Sequence, residues 1–207
     1  SKSFGNVIDP TELVNQYGRD RVRYFLLREV PFGQDGDFVQ ERFINRINTE
    51  LANDLGNLFQ RVLSMIAKNC DGKVPEMQEL SDADHAFLDM VHHTPAKVRD
   101  HVDALAFHKA LDEIWKLITA GNRYMDSQKP WELKKTDPIR MAHVLRVLFE
   151  AFRPISVMVE PFMPESAHKL QQQVGIETPT FDLPSLEAGT QLPKPEGVFM
   201  RIQEEAA

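Results

Sequence analysis

An all-α fold, a bundle of four or five helices preceded by a small helical module and followed by an extended tail, is what this sequence predicts. Three observations carry that expectation. Long stretches place apolar side chains three and four residues apart, the spacing of one helix face. Asp-Pro, Ser-x-x-Asp, proline and glycine signals fall at the edges of those stretches. The 207 residues, 42% of them hydrophobic, suffice to bury one proper core.

Taken in order, Asp9-Pro10 opens a short helix, because a carboxylate caps free backbone N–H groups and proline suits the first turn. Leu13, Val14 and Tyr17 line its apolar side before Gly18, and a second helix covers 20–27 with Val22, Phe25 and Leu26. The turn-rich run 30–37 follows. From 38 to about 68, Ile44, Ile47, Leu51, Leu55, Leu58, Val62 and Ile66 recur at helical steps, with Phe43, Phe59 and Leu63 broadening the stripe. After a loop over 69–80, Ser81 opens a helix to about 101, with Asp84 giving an imperfect capping box. The next helix, 103–125, carries Phe107, Leu111, Ile114 and Ile118, and Pro130 marks its end. Pro138 starts another through Ile139, Leu145, Leu148, Phe152 and Ile155, with Pro154 expected to kink it. A shorter helix at 165–173 lies between Pro164 and Gly175. Beyond it prolines punctuate an extended tail, in which the alternation at 198–202 fits either a returning strand or chain lying on the bundle.

Composition excludes several classes. A single cysteine, Cys70, precludes an internal disulfide and argues against a thiolate zinc site, and the seven histidines show no HExxH spacing. No window approaches the roughly 18 apolar residues of a membrane span, and the first residues do not read as a signal peptide. A reducing, cytoplasmic compartment is expected. The chain starts at Ser1 and reads as a piece of something longer.

Three side chains stand out as candidate binding groups. Opposite the apolar stripe of the 38–68 helix lie Glu50, Asn53, Asn57, Arg61 and Lys68, and the i, i+4 spacing of Asn57 and Arg61 puts an amide and a guanidinium within reach of one ligand. Such a pair can read base edges, although the same residues also suit an ordinary solvated helix face. Trp131 follows Pro130 at a helix end, where an exposed indole can stack a splayed-out base or simply plug a gap. Trp115, beside an apolar stripe, reads as core or half-buried. The net charge of −7 is unlike that of a nucleic-acid binder. Between 121 and 146, however, Arg123, Lys129, Lys134, Lys135, Arg140 and Arg146 outnumber Asp126, Glu132 and Asp137, which predicts a local basic patch beside Trp131. Adjacent His92 and His93 point apart and read as surface or half-buried residues, Cys70 has no partner for nucleophilic chemistry, and Glu160 to Pro164 reads as a packing break.

The order of the motifs supplies more. Ser1-Lys2-Ser3-Phe4-Gly5-Asn6 resembles the second part of the Lys-Met-Ser-Lys-Ser signature of class I aminoacyl-tRNA synthetases. Val7-Ile8-Asp9-Pro10, Tyr17-Gly18, Asp20, Arg23 to Leu27 and Val30 to Phe38 then follow in the order seen after that loop in methionyl-tRNA synthetases, more closely than in the leucyl, isoleucyl, valyl or cysteinyl families. The resemblance runs to about residue 173 and weakly through the tail. It implies the end of the signature loop and a stem-contact module over 1–37, an anticodon-binding bundle over 38–175, and a tail over 176–207 packed on that bundle.

The resemblance also implies roles. Lys2 would be a catalytic residue and, with Ser3, part of the ATP loop, since an ammonium on a mobile loop can neutralise charge building on a triphosphate. Asn57 and Arg61, in Asn57-Leu58-Phe59-Gln60-Arg61, and Trp131, in Pro130-Trp131, would contact anticodon bases by hydrogen bonds and stacking. The whole enzyme would use ATP to attach methionine to its tRNA. This piece would lack the catalytic fold and the family's zinc-bearing insertion, hold no cofactor itself and recognise tRNA without aminoacylating it. No membrane partner is implied, and the absence of a further tRNA-binding module favours a monomer. Two other readings stay open, a free-standing synthetase-derived binding module and a structural helical interaction domain.

Overall fold

The computed structural model describes residues 9–30, 38–182 and 184–203. Among them the helices are α1 (Pro10–Tyr17), α2 (Arg19–Glu29), α3 (Gln40–Arg46), α4 (Asn57–Asn69), α5 (Asp82–Asp103), α6 (Phe107–Gln128), α7 (Pro130–Thr136), α8 (Pro138–Met158) and α9 (Pro164–Gln173). A π-helical stretch, Ile47–Gly56, joins α3 to α4 without a break. The all-α expectation holds, and the described residues contain a single isolated bridge, Lys73 to Gln191, in place of any strand.

The continuous rod from α3 to α4 buries the predicted stripe. Ile47, Leu51, Leu55, Leu58, Val62 and Ile66 are each 1% exposed or less, and burying such a side chain contributes about 1.5–3 kcal/mol. They pack on α6 and α8. Phe59 stacks on Phe152 with centroids 3.9 Å apart. At Gly121 of α6 even a Cβ would lie 3.1 Å from Leu58 Cδ2, so a glycine is what lets the two helices approach. The short helices α1 and α2 share this core through Tyr17, Val22, Tyr24 and Phe25, and the Tyr24 ring lies 4.9 Å from that of Trp115.

The π stretch corrects one assignment. Asn57 N–H donates to the Ala52 carbonyl, five residues back, so this wider turn breaks the α-helical register between Glu50 and the residues after Asn57. Glu50 faces inward instead of sharing the outer face. Its carboxylate accepts from Arg46 Nη1 at 2.6 Å, from Arg28 Nε at 3.3 Å and from the Tyr24 hydroxyl. Arg28 also reaches Asp112 of α6 at 2.5 Å, so one ion network joins α2, the π stretch and α6.

Other boundaries differ as well. α6 runs on to Gln128, Lys129 takes a left-handed φ of 48°, and Pro130 both follows the end of α6, as expected, and begins a further helix, α7. Seven residues are too few to print a periodic stripe, so α7 leaves no pattern of its own in the sequence. α8 runs through Pro154 to Met158. Residues 198–202 form no strand and lie on the bundle, where the Asn48 amide pairs with both the N–H (2.7 Å) and the carbonyl (2.9 Å) of Ile202.

The capping box at α5 is complete, with Asp84 N–H donating to Ser81 Oγ and Ser81 N–H to Asp84 Oδ2. Asp84 does more than cap. Fully buried, it accepts from Arg140 Nη1 and Nη2 at 2.8 and 3.0 Å, from the Tyr124 hydroxyl at 2.5 Å and from His143 Nε2 at 2.9 Å. Burial alone would raise its pKa, but the donors on Arg140, Tyr124, Ser81 and His143 outweigh it and hold the carboxyl well below the usual carboxylate range.

A depressed folded-state pKa gives stability that is complete above the unfolded value of about 3.9 and is lost as the pH falls through the folded value. Urea titrations of this chain should therefore show stability dropping below about pH 4. Asp84→Asn strands the Arg140 charge, so it should be about 3–5 kcal/mol less stable near neutrality. Its stability should also vary less with pH across the acid window.

Candidate nucleic-acid interface

Hiding the apolar side of α4 forces the opposite side outward. Asn53 and Asn57 are exposed and Arg61 is half-buried, each one turn from the next. α6 crosses beside this face, held by Asn122, whose amide donates to the Asp54 carbonyl at 3.1 Å. The last turn of α6 brings Asp126 to 3.5 Å from Arg61 Nη2. α7 is then seated by buried Pro130 and half-buried Leu133, which leaves Trp131 on its first turn 40% exposed. The Arg61 guanidinium carbon lies 5.3 Å from the centre of the Trp131 ring, within cation–π range.

Of the expected site residues, the structure thus brings Arg61 and Trp131 into contact and sets Asn57 one helical turn from Arg61. Lys2 and Ser3 lie outside the described residues. Trp115 is 5% exposed, as a core residue, and His92 and His93 are exposed. Asp126, the partner of Arg61, was missed, because nothing in its own sequence neighbourhood marks an acid that meets a residue from another helix.

The basic patch is weaker than the sequence suggests. Arg140 is spent on Asp84. Arg146, 6% exposed, donates to the Pro75 and Leu186 carbonyls and lies 2.7 Å from Glu150. Arg123, Lys129, Lys134 and Lys135 remain exposed, with Lys129 Nζ 3.3 Å from Glu132. What the surface offers is an amide, a planar donor fork and an indole face with a modest surplus of positive charge, a set suited to unstacked bases more than to a phosphate backbone. Among the described residues no group of three or more histidine, cysteine or acidic side chains could hold a metal ion.

Comparisons with known proteins give the family of the chain. Residues 74–207 match the family described as the anticodon binding domain of methionyl tRNA ligase, and residues 1–63 match tRNA synthetases class I (M). A methionine–tRNA ligase of Brucella suis is 50% identical over 99% of this chain. One of Mycobacterium tuberculosis is 46% identical over 98% of it. The chain spans 41% of the length of each of these curated relatives. Among solved structures, the apo form of Mycobacterium tuberculosis methionyl-tRNA synthetase superposes with a TM-score of 0.92 at 44% identity, covering 97% of this chain and 42% of that one. The same enzyme in complex with methionyl-adenylate gives 0.92 at 46% identity, covering 97% and 41%.

The contacts of Arg61 within the free protein are exposed and so weak: a solvated ion pair contributes about 0–1 kcal/mol and an exposed cation–π contact about 0.5–1. Arg61→Ala should lower the folding free energy by about 1 kcal/mol or less in urea denaturation. A loss several times larger would mean that this arginine holds the fold together.

Proposed function

The chain belongs to the methionyl-tRNA ligase family through its anticodon-binding domain, and from that premise we propose that Asn57, Arg61 and Trp131 read the methionine anticodon. The observation that carries this reading is the exposed Trp131 ring with the Arg61 guanidinium 5.3 Å from its centre and Asn57 one turn away. Anticodon bases are single-stranded and can be splayed out, so an indole can stack one while the amide and guanidinium bond to a Watson–Crick edge. The order of helices supports it too: α4 supplies the hydrogen-bonding pair, and the α6–α7 corner supplies the stacking ring.

Within the same proposal, the whole enzyme condenses methionine with ATP and transfers the methionyl group to tRNA, chemistry that draws on the larger part of the relatives outside this chain. Lys2 and Ser3 would serve its ATP loop, Lys2 by neutralising charge on the triphosphate. Residues 1–37 would hold the end of that loop and then a tRNA stem-contact module, and residues 38–175 the anticodon-binding bundle. That the partner is a nucleic acid despite a net charge of −7 fits a mode in which base contacts specify and phosphate neutralisation is limited. No helix among the described residues is long and apolar enough to cross a membrane, consistent with work in the cytoplasm.

Filter binding with methionine tRNA and an anticodon-altered copy tests the reading. Trp131→Ala should weaken cognate binding by about 1–3 kcal/mol, the usual worth of one stacked base. Asn57→Ala should narrow the gap between the two RNAs, with helix content unchanged in both variants. Equal affinity of the unaltered chain for cognate and altered tRNA would reject anticodon reading.

A further inference from the structure

We propose that the pair of buried Asp84 and half-buried Arg140 is a positioning device for Trp131, fixing the direction in which α7 presents the indole. The proposal rests on the anticodon-stacking reading of Trp131. Seven residues of α7 join the end of α6 to the start of α8, so the orientation of the ring depends on how its two flanking helix ends are tied. Both ends converge on one carboxylate. From α6, Tyr124 donates to Asp84 Oδ1 at 2.5 Å, and Gln128 Oε1 accepts from Arg140 Nη2 at 2.8 Å. From α8, Arg140 forks onto both Asp84 oxygens and His143 Nε2 completes the set at 2.9 Å. His143 Nδ1 accepts the Gln78 N–H at 2.8 Å, which fixes the ring proton on Nε2 and ties in the loop ahead of α5.

Arg140 is also the residue whose backbone N–H donates to Asp137, the cap of α8, at 3.0 Å. One residue thus closes the helix start and, through its fork, the helix end on the other side of Trp131. Between them Lys129 holds a left-handed φ of 48°, a conformation costly for a residue with a Cβ and kept only where its surroundings impose it. Purely apolar packing would close this corner at least as stably, because a buried ion pair brings little net stability over hydrophobic residues of the same volume. What the fork adds is a fixed angle, and a turn of α7 would carry the indole away from Arg61, now 5.3 Å from its centre.

A double-mutant cycle in the 207-residue chain tests this, with an RNA stem-loop bearing the methionine anticodon as the probe. Arg140→Gln and Arg140→Lys should each weaken binding about 3- to 10-fold, the coupling typical of residues in one network. Lysine keeps the charge but not the two-pronged geometry, so it should fail to restore binding. In a Trp131→Ala background neither substitution should weaken binding further. In a Trp115→Phe background, acrylamide quenching of the remaining Trp131 fluorescence should change on Arg140→Lys while the far-UV circular dichroism does not. Should Arg140→Gln fail to fold, Tyr124→Phe, which removes one donor, takes its place. Full weakening in the Trp131→Ala background, or recovery with lysine, would overturn the proposal and make Arg140 an independent contact. If Trp131→Ala itself leaves binding unchanged, the stacking reading fails and the positioning role falls with it.

Discussion

Burial of one unbroken apolar stripe along the rod from α3 to α4 is the constraint on which the rest of this molecule depends. Because Leu51, Leu55, Leu58, Val62 and Ile66 must all face α6 and α8, the helix has no rotational freedom left. Each residue of an α-helix is turned about 100° from the last, so even a one-residue shift would submerge Asn57 and Arg61 and expose leucines. Five side chains at about 1.5–3 kcal/mol each outweigh any exposed ion pair at about 0–1 kcal/mol, so packing decides the orientation and the polar face follows. The close approach at Gly121 and the Phe59–Phe152 stack then place α6 and α8 alongside, which is what carries Asp126 and Trp131 to the rim of α4.

Charge is distributed to a different end. Many of the ionisable groups are consumed internally, in the network around Glu50 and in the one around Asp84. Such buried networks contribute less to net stability than their bond count suggests, since desolvating the charges offsets most of the attraction. Their geometry is strict, however, and each network lies where one short element must be held at a set angle to longer ones: α2 against the rod in one case, α7 between α6 and α8 in the other. The overall charge of −7 therefore says little about the surface near Trp131, where Arg140 and Arg146 have been withdrawn and only a modest positive surplus is left.

What the sequence made legible follows from range. The stripe of the rod, the Ser81 cap, the core position of Trp115 and the outward placing of Asn57 and Arg61 one turn apart all depend on neighbours within a few residues, and each is found where local periodicity puts it. Glu50 lies within the π stretch, whose wider turn is not a property of any short pattern, so α-helical spacing puts it on the wrong face. Arg140 and Arg146 leave the expected basic patch because their partners, Asp84, Pro75 and Leu186, lie far away in the chain, where no local pattern shows them. The order of motifs singles out Asn57, Arg61 and Trp131, but not Asp126 beside Arg61 or the Asp84 carboxylate that Arg140 and Tyr124 share.

The weak tethering of Arg61 has a consequence for selectivity under the anticodon-reading proposal. A guanidinium held by an exposed carboxylate at 3.5 Å and an exposed ring is already extended toward the place a base would occupy, so little ordering remains to be done on binding. Exchanging those contacts for a base edge costs about 1 kcal/mol or less, because water screens them. The exchange is favourable only when the new acceptors match the fork and the amide of Asn57. A mismatched base stacked on the indole would strip water from both groups without returning their hydrogen bonds, a penalty of about 1–3 kcal/mol for each stranded group. Discrimination on this surface therefore comes from the cost of leaving Asn57 and Arg61 unsatisfied beneath the wrong base, while the stacking on Trp131, which any base can provide, supplies affinity without selectivity.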